Sequence, residues 1–289
     1  MSISINGSTK IIGIIGNPLE HSVSPMLHNE ISSMLGKNLV YVPFCVEKER
    51  LEDAVLGLKS LGVVGFNVTA PYKKDIMKYV DYKTKSSLLM GAVNTVKNVN
   101  GRLYGYNTDA EGFVRAFRMN TNRDFKGLVV TIFGAGGAAR AIAVKLAHTH
   151  VKKINIVNRT KEHADIIRDT INENISSIVE TYTNNDKIED ICQGSDVLIN
   201  ATSVGMLPDT GKCVIKLKNI FNKNQFVYDI IYNPKQTKFL SMAQSCGCSV
   251  MNGLGMLFYQ AIASYEIWVG YKFNEGELAR LYGLLENIY

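Results

Sequence analysis

The stretch Gly134-Ala135-Gly136-Gly137-Ala138-Ala139 decides the fold of this chain. It follows the apolar run Leu128–Phe133 and precedes a helix-like segment that extends to His150. A glycine turn between a strand and a helix lets backbone amides at the helix N-terminus approach the pyrophosphate of a dinucleotide closely. From this turn we predict five residues that bind a dinucleotide: Gly134, Ala135, Gly136, Gly137 and Ala138.

The residues after the next predicted strand, Ile154–Val157, indicate which dinucleotide binds. A fold of this kind commonly places an acidic residue there for a ribose 2′-hydroxyl, whereas this chain reads Asn158-Arg159-Thr160-Lys161. An arginine suits a 2′-phosphate, because its guanidinium makes charge-assisted hydrogen bonds to phosphate oxygens. The sequence therefore predicts NADP(H), with Asn158, Arg159, Thr160 and Lys161 at the ribose and its phosphate.

Short apolar runs alternate with amphipathic segments along the chain, which is typical of an α/β protein with mainly parallel sheets. We predict strands at Ile11–Ile15, Val40–Val46, Val63–Val68, Ala92–Asn98, Leu103–Tyr106, Leu128–Phe133, Ile154–Val157, Glu180–Thr183, Val197–Ala201 and Phe226–Ile231. We predict helices from Ser24 to Leu35 and over Lys48–Leu61, Asp109–Met119, Gly255–Gly270 and Glu275–Asn287. Ser24 is the expected N-cap of the first helix, and Asn100-Gly101 is a strong hairpin-turn signal.

Composition and charge exclude several classes of protein. The net charge of +6 comes from lysines scattered along the chain, which indicates a solvated surface and no nucleic-acid partner. No apolar run is long enough to span a membrane, and the polar N-terminal segment lacks the apolar core of a signal peptide, so we expect a cytoplasmic protein. The five cysteines are an odd number, as expected for reduced thiols. Cys246-Gly247-Cys248 is too closely spaced for a zinc site, and we predict no metal.

Three polar clusters follow predicted strands outside the nucleotide region. They are His21 to Pro25, Asn67 to Lys73, and Asn94-Thr95 with Asn107-Thr108-Asp109. Ligands of open α/β sheets bind beyond the carboxyl ends of the strands, where these clusters are expected. Each residue alone has an ordinary structural explanation as a cap, a turn former or a surface lysine. As a set, hydroxyls, amides, one lysine and one aspartate suit a polyhydroxylated acid.

These clusters, taken together, resemble the motifs of the shikimate dehydrogenase family. The matching segments are His21-Ser22-x-Ser24-Pro25, Asn67-Val68-Thr69-x-Pro71-x-Lys73, Gly91-Ala92-Val93-Asn94-Thr95 and Gly105-Tyr106-Asn107-Thr108-Asp109. The match continues with Gly134 to Arg140, Asn158-Arg159-Thr160, Asn200-Ala201-Thr202-Ser203-x-Gly205-Met206, Asp229-x-x-Tyr232-x-Pro234, and Gly255-Met256-Leu257 through Gln260. The resemblance extends in order over essentially the whole chain. It implies reversible, NADPH-dependent reduction of 3-dehydroshikimate to shikimate.

The resemblance also implies roles for individual residues. Lys73 matches the catalytic lysine of the family and Asp109 its partner aspartate. A lysine suits proton transfer, because burial and neighbours tune the pKa of its ammonium group. The implied substrate-binding residues are Ser22 and Ser24 at the carboxylate, and Asn67, Thr69, Asn94, Tyr232 and Gln260 elsewhere in the pocket. Ile230 and Gly253 match positions whose backbone lies near the nicotinamide.

The resemblance implies two domains and leaves alternatives open. We expect a substrate-binding and catalytic domain from residues 1–110 plus 250–289, and a doubly wound, Rossmann-type NADP-binding domain from residues 111–249. The C-terminal helices should pack on the first domain, because the nucleotide sheet is complete without them. His163 stands where many NADP-dependent members carry a second arginine, for which Lys161 is expected to compensate. The alternative is a quinate/shikimate dehydrogenase that uses NAD or both cofactors, and the expected assembly is a monomer or a homodimer.

Overall fold

Two sheets organise the chain, one in each of two units. The computed structural model describes residues 5–183, 186, 188–215 and 219–288; the polar N-terminal segment begins in residues 1–4, which lie outside this description. Contacts between residues divide the chain into a first unit, which runs to Thr108 and resumes over Gln260–Ile288, and a second unit, Asp109–Tyr259. The first unit is therefore built from two separate segments of the sequence.

The first unit contains a mixed sheet in which almost all strands are parallel. Its elements up to Thr108 are β1 (Lys10–Gly16), α1 (Ser24–Met34), β2 (Leu39–Cys45), α2 (Leu51–Ser60), β3 (Gly65–Val68), β4 (Tyr82–Lys83), α3 (Lys85–Met90), β5 (Thr95–Val99) and β6 (Arg102–Tyr106). The strand order is β2-β1-β3-β5-β6-β4, and β5 runs antiparallel to both of its neighbours. Asn100 and Gly101 both adopt positive φ between β5 and β6, which confirms the predicted hairpin turn.

The second unit is a doubly wound parallel sheet. Its elements are α4 (Asp109–Thr121), β7 (Val129–Phe133), α5 (Gly137–Ala147), β8 (Lys153–Val157), α6 (Lys161–Asn174), β9 (Val179–Tyr182), α7 (Ile188–Gln193), β10 (Val197–Asn200), β11 (Phe226–Asp229), α8 (Lys238–Ser245) and β12 (Ser249–Met251). The strand order is β12-β11-β10-β7-β8-β9, and every pairing is parallel. The order reverses between β7 and β10, which is the Rossmann arrangement predicted from the glycine turn. The predicted fold class is confirmed.

Two helices complete the chain. They are α9 (Leu254–Val269) and α10 (Glu275–Glu286). The indole nitrogen of Trp268 donates a hydrogen bond to the carbonyl of Val96 at 2.9 Å, and the hydroxyl groups of Tyr265 and Ser32 lie 3.3 Å apart. These contacts confirm that the C-terminal end of α9 packs on the first unit.

The structure corrects several local predictions. Val23 is the N-cap of α1, and its side chain cannot accept a hydrogen bond from the helix, so Ser24 is the first helical residue and not the cap. The segment Lys48–Leu61 is not one helix, because Lys48–Arg50 forms a 3₁₀ turn before α2. The predicted strand from Ala92 begins at Thr95, since Gly91 ends α3 in the left-handed conformation and the chain must turn before it extends.

Candidate functional site

The glycine turn leaves open space at the N-terminus of α5. Gly134 has a φ of +107°, and a Cβ added there would lie 2.7 Å from Cγ2 of Thr202, so a side chain is excluded. Gly136 is the N-cap of α5 and Gly137 its first residue; both are exposed, and an added Cβ would meet nothing within 4 Å. Ala135 and Ala138 are half-buried beside them. The turn is shaped to receive a phosphate-bearing group, which fits a dinucleotide.

The segment after β8 presents an exposed arginine. Arg159 and Thr160 are exposed, and Thr160 is the N-cap of α6. The side-chain amide of Asn158 donates to the carbonyl of Thr160 at 2.7 Å and so fixes the bend between them. Residues 158–161 include no carboxylate, so this segment fits a 2′-phosphate.

Lys161, predicted to add positive charge here, has an acidic partner. Its Nζ lies 3.0 and 3.1 Å from the two carboxylate oxygens of Asp165, one helical turn along α6. The hydroxyl of Thr181, together with Lys161 and Arg168, holds the pKa of Asp165 below its ordinary value. The charge of Lys161 is therefore partly neutralised, so Lys161 offers less positive charge for a 2′-phosphate than the sequence suggested.

Ile230 and Gly253 lie against each other in the second unit. An added Cβ at Gly253 would lie 1.9 Å from the carbonyl oxygen of Ile230, so no other residue fits at position 253 without moving that backbone. The amide of Gly253 donates to the carbonyl of Ile231 at 3.0 Å. Tyr232 follows in the same segment and is half-buried. The two backbone positions predicted near the nicotinamide are thus adjacent in space.

Asn67 and Asn94 belong to one buried polar network of the first unit. Nδ2 of Asn67 lies within hydrogen-bond distance of three acceptors: the carbonyl of Asn94 (3.1 Å), Oγ1 of Thr95 (3.1 Å) and Oγ of Ser264 (3.0 Å). Oδ1 of Asn67 accepts from the hydroxyl of Tyr41 at 2.8 Å. Both amide hydrogens of Asn67 are used within the protein, which leaves this side chain an acceptor for any ligand.

The same network orients Asn94. Its Oδ1 accepts from the amide of Thr108 at 2.7 Å, and its Nδ2 donates to the Thr108 hydroxyl at 3.0 Å. The Thr108 hydroxyl in turn lies 3.0 Å from Oγ of Ser264. Ser264 is one helical turn after Gln260, and its hydroxyl donates to the Gln260 carbonyl at 2.9 Å. The network therefore joins three predicted substrate-binding residues of the first unit.

Tyr41 and Ser264 hydrogen-bond predicted substrate-binding residues and were not predicted from the sequence. Tyr41 is buried, and its hydroxyl hydrogen-bonds the side chain of Ser24 as well as that of Asn67. Burial raises the pKa of Tyr41 well above its ordinary value, so the group is an uncharged phenol. Neither residue stands in a polar cluster, and the only available signal was a polar residue on an otherwise apolar strand or helix.

The remaining candidates of the first unit lie at the ends of β1 and β3. Ser22 and Ser24 are half-buried, and the amide of Ser24 donates to the Ser22 hydroxyl at 3.4 Å. The amide of Thr69 pairs with the carbonyl of Ile15 at 3.0 Å. The carbonyl of Lys73 accepts from the amide of Val93, next to Asn94, while its side chain is half-buried. Asp109 is a half-buried residue that begins α4 in the second unit.

The described part of the chain shows neither a metal-binding cluster nor a membrane-spanning helix. Within residues 5–183, 186, 188–215 and 219–288, no three histidine, cysteine or acidic side chains are grouped so as to hold a metal ion. Over the same residues, no helix is both long and apolar enough to cross a membrane.

Two family models match the sequence. The shikimate dehydrogenase substrate binding domain matches residues 14–96, and shikimate / quinate 5-dehydrogenase matches residues 117–238. The chain belongs to the shikimate dehydrogenase family. The first match includes Ser22, Ser24, Asn67, Thr69, Lys73 and Asn94, and the second includes the glycine turn, Arg159 and Tyr232.

Individual shikimate dehydrogenases resemble the chain over nearly its full length. The shikimate dehydrogenase (NADP(+)) of Methanopyrus kandleri is 40% identical over 271 residues, which are 93% of this chain and 93% of that protein. Shikimate 5-dehydrogenase from Listeria monocytogenes, solved in complex with shikimate and NAD, superposes with a TM-score of 0.93 at 34% identity and covers 99% of both chains. A shikimate dehydrogenase in complex with NADP⁺ gives 0.90 at 39% identity, over 99% of this chain and 97% of that one.

Proposed function

We propose that this protein is an NADP-dependent shikimate dehydrogenase that reversibly reduces 3-dehydroshikimate to shikimate. The observation that carries the proposal is the extent of the family relationship, which covers nearly the whole chain and retains Lys73 and Asp109. The open glycine turn and the exposed Arg159 support NADP as the cofactor. The protein is accordingly an oxidoreductase that acts on a small molecule and needs no metal.

The second unit would hold the cofactor, which supplies the hydride when bound. Gly134, Ala135, Gly136, Gly137 and Ala138 would receive the pyrophosphate, with the backbone amides at the start of α5 facing it. Asn158, Arg159, Thr160 and Lys161 would contact the ribose and its 2′-phosphate. Ile230 and Gly253 would lie along the nicotinamide. For the domains we propose residues 111–249 for NADP binding, with Gly253 just beyond them, and residues 1–110 plus 250–289 for substrate binding and catalysis; the contact-defined units differ at these bounds, because Asp109 and residues 250–259 belong to the second unit.

Uncharged groups would select the substrate. Ser22 and Ser24 bind its carboxylate through hydroxyl and backbone donors, and Asn67, Thr69, Asn94, Tyr232 and Gln260 contact its ring hydroxyls. Because the amide hydrogens of Asn67 are already used, Asn67 accepts a hydrogen bond from a substrate hydroxyl. An analogue that lacks this hydroxyl would lose one hydrogen bond to Oδ1 of Asn67, which also accepts from Tyr41, and would therefore bind less tightly.

Lys73 would transfer the proton, and Asp109 would position Lys73. In the reductive direction the Lys73 ammonium donates its proton to the carbonyl oxygen of the substrate, which becomes the hydroxyl of shikimate. Asp109 would position Lys73 and hydrogen-bond the same hydroxyl. In the oxidative direction Lys73 takes the proton back.

A steady-state assay with four substrate pairs tests the function. Shikimate or quinate is combined with NADP⁺ or NAD⁺, and we expect the highest kcat/KM for shikimate with NADP⁺. Efficient turnover only with quinate and NAD⁺ would overturn the proposal in favour of the quinate/shikimate alternative.

The Lys73→Ala variant tests the proton-transfer assignment. We expect kcat to fall by about 10²–10⁴-fold, the usual contribution of a positioned acid–base group, while the Kd of NADP⁺ stays nearly constant. Lys74→Ala is the matched control, since Lys74 is an exposed neighbour. Near wild-type turnover of Lys73→Ala would show that another group transfers the proton.

The Arg159→Ala variant tests the cofactor assignment. Loss of the guanidinium should weaken NADP⁺ binding by about tenfold or more and leave NAD⁺ binding almost unchanged, because only NADP⁺ carries the 2′-phosphate. Calorimetric Kd values for both cofactors measure this. Equal effects on the two cofactors would remove the 2′-phosphate argument.

Location and assembly follow the same family pattern. We propose that the enzyme acts in the cytoplasm as a monomer or a homodimer, with no nucleic-acid or membrane partner. Size-exclusion chromatography with light scattering gives the assembly directly.

A further inference from the structure

Asp229 is a buried carboxylate at the end of β11, and among the described residues its hydrogen-bond donors are all uncharged. Its exposed fraction is 0%. Oδ1 accepts from the side-chain amide of Asn200 and from the backbone amide of Ile231, both at 3.0 Å. Oδ2 accepts from the hydroxyl of Thr237 at 2.7 Å. A buried charge is costly unless donors compensate it, and three donors surround this one.

These donors come from three different segments of the second unit. Asn200 ends β10 and lies directly opposite Asp229 in the strand register. Ile231 belongs to the turn that follows β11. Thr237 is the N-cap of α8, where its hydroxyl also accepts from the amide of Leu240. Asp229 therefore fixes the path of the backbone between the end of β11 and the start of α8.

The backbone that Asp229 fixes includes Ile230, which we propose lies along the nicotinamide. The amide of Ile230 donates to the carbonyl of Asn200 at 3.1 Å, and the carbonyl of Ile230 is covered by Gly253. Asn200 is itself fixed, because its Oδ1 accepts from the amide and the hydroxyl of Thr202. The segment Ile230–Tyr232 is thus held by Asp229 on one side and by Gly253 on the other.

We propose that Asp229 is a positioning residue for hydride transfer: its carboxylate fixes the segment Ile230–Tyr232, which lines the nicotinamide. This rests on the proposed dehydrogenase function. Asp229 is fully buried and its oxygens face protein donors, so it acts through the backbone of Ile230 and Ile231. An asparagine has the same shape but replaces one acceptor oxygen with a donor, so at least one of the three hydrogen bonds must break.

The Asp229→Asn variant tests the proposal with one readout that needs no activity. Hydrogen exchange followed by mass spectrometry should show exchange over residues 230–237 accelerated by about tenfold or more in the cofactor-free protein, because the Ile231 amide loses its fixed acceptor. We expect kcat to fall by about tenfold or more, since misplacement of the reacting groups is costly. The Kd of NADP⁺ should change by less than about threefold, because the phosphate contacts lie elsewhere.

Three further variants extend the test: two alter the donor at position 237, and one is a control. Thr237→Val removes one donor and should show the same pattern more weakly, whereas Thr237→Ser keeps the hydroxyl and should restore both exchange and kcat. Asp196→Asn is the matched control: Asp196 precedes the other end of β10, and its carboxylate accepts from the amide of Val129 at 2.7 Å. If Asp229→Asn does not fold, the two Thr237 variants decide.

The outcomes separate this proposal from the function on which it rests. A folded Asp229→Asn variant with wild-type exchange over 230–237 and wild-type kcat overturns the positioning role. Faster exchange with unchanged kcat also overturns it, because Asp229 would then be purely structural. If the wild-type protein turns over neither shikimate nor quinate, the proposed function fails, and with it the assignment of this segment to the nicotinamide.

Discussion

The first unit surrounds its candidate substrate residues with amides and hydroxyls, whereas the second unit buries a carboxylate beside its candidate nicotinamide residues. In the first unit Asn67, Thr108 and Ser264 are uncharged, and the titratable group packed beside them, His28, is fully buried. Its imidazole stacks on Tyr41 with ring centroids 4.3 Å apart. In the second unit Asp229 can ionise inside its network.

The two buried titratable groups should respond to pH in opposite directions. Burial lowers the pKa of His28 from 6.5 to about 3, so the folded first unit excludes a proton that the unfolded chain binds. Burial raises the pKa of Asp229 from 3.8 to about 6 against the opposing effect of its donors, so the folded second unit binds a proton that the unfolded chain releases. Acidification therefore destabilises one unit through His28 and stabilises the other through Asp229. The two units should therefore reach their maximum stability at different pH values.

The largest expected effect is on the first unit and involves His28. The free-energy contribution of His28 is fully present above pH 6.5 and is lost as the pH falls toward 3, by as much as about 5 kcal/mol at about 1.4 kcal/mol per pKa unit. His28→Phe should remove this dependence. Trp268, the single tryptophan, tilts against His28 at 5.3 Å, so its fluorescence during urea unfolding reports this unit.

A matched histidine controls this measurement. His163 is exposed on α6 of the second unit, and His163→Asn should leave the pH dependence of the Trp268 transition as it is in the wild-type protein. If His28→Phe and the wild-type protein lose stability in parallel between pH 6.5 and 4, the buried histidine is not the cause.

The next effect is on the second unit and has the opposite sign. The contribution of the protonated Asp229 is fully present below pH 3.8 and is lost as the pH rises through about 6, by about 3 kcal/mol. Thr237 and Asn200 do not titrate, and the nearby Cys213 thiol stays protonated, because burial raises its pKa. Relative to Asp229→Asn, the wild-type protein should therefore lose stability between pH 4 and 6, measured by hydrogen exchange of β10 and β11. A constant difference between the two proteins over this range would contradict the assignment.

The smallest effect comes from a change in the uncharged hydrogen-bond network around Asn67. Tyr41→Phe removes the donor to Oδ1 of Asn67 and should cost about 1–2 kcal/mol in the free energy of unfolding, the usual cost of an unpaired buried acceptor. The KM for shikimate should rise, because Asn67 loses its fixed orientation. The loss of stability should be the same from pH 5 to pH 8, since the Tyr41 phenol is uncharged throughout.

Tyr104→Phe provides the comparison for that variant. Tyr104 is half-buried on β6 of the same unit and stacks on Tyr82 at 4.8 Å. An equal rise in KM for the two variants would show that the effect is not specific to the Asn67 network.

Local sequence signals predicted the fold of the second unit well. The glycine turn, the helix behind it and the arginine after β8 depend on residues close together in the sequence, and the doubly wound sheet follows from the order of apolar runs. The short strands β4 and β12 were not predicted, because two or three residues show no periodicity. The N-cap of α1 was misplaced by one residue, because a proline fits either of the first two helical positions and Ser24 therefore fits both the N-cap and the first helical position.

Long-range partners could not be predicted. Tyr41 and Asn67 are 26 residues apart, and Thr95 and Ser264 are 169 residues apart. Asp229 was recognised only as part of a motif, because its three donors meet only after β10, β11 and the start of α8 are in place. Lys161 and Asp165 are four residues apart on α6, a spacing that predicts their ion pair, whereas the contact of Asp165 with Thr181 of β9 needed the fold.

The return of α9 to the first unit sets an order of events during synthesis. Ser264 and Trp268 are made after the whole of the second unit, yet they close the polar network around Asn67 and cover β5. Domains generally fold as units while the chain emerges from the ribosome. Here the strands β1 to β6 are made first, but the second unit has all of its residues available before the first unit does, because the first unit also needs residues from Gln260 onward. Before those residues are made, Asn67 lacks Ser264 as an acceptor and the Val96 carbonyl lacks the indole donor of Trp268.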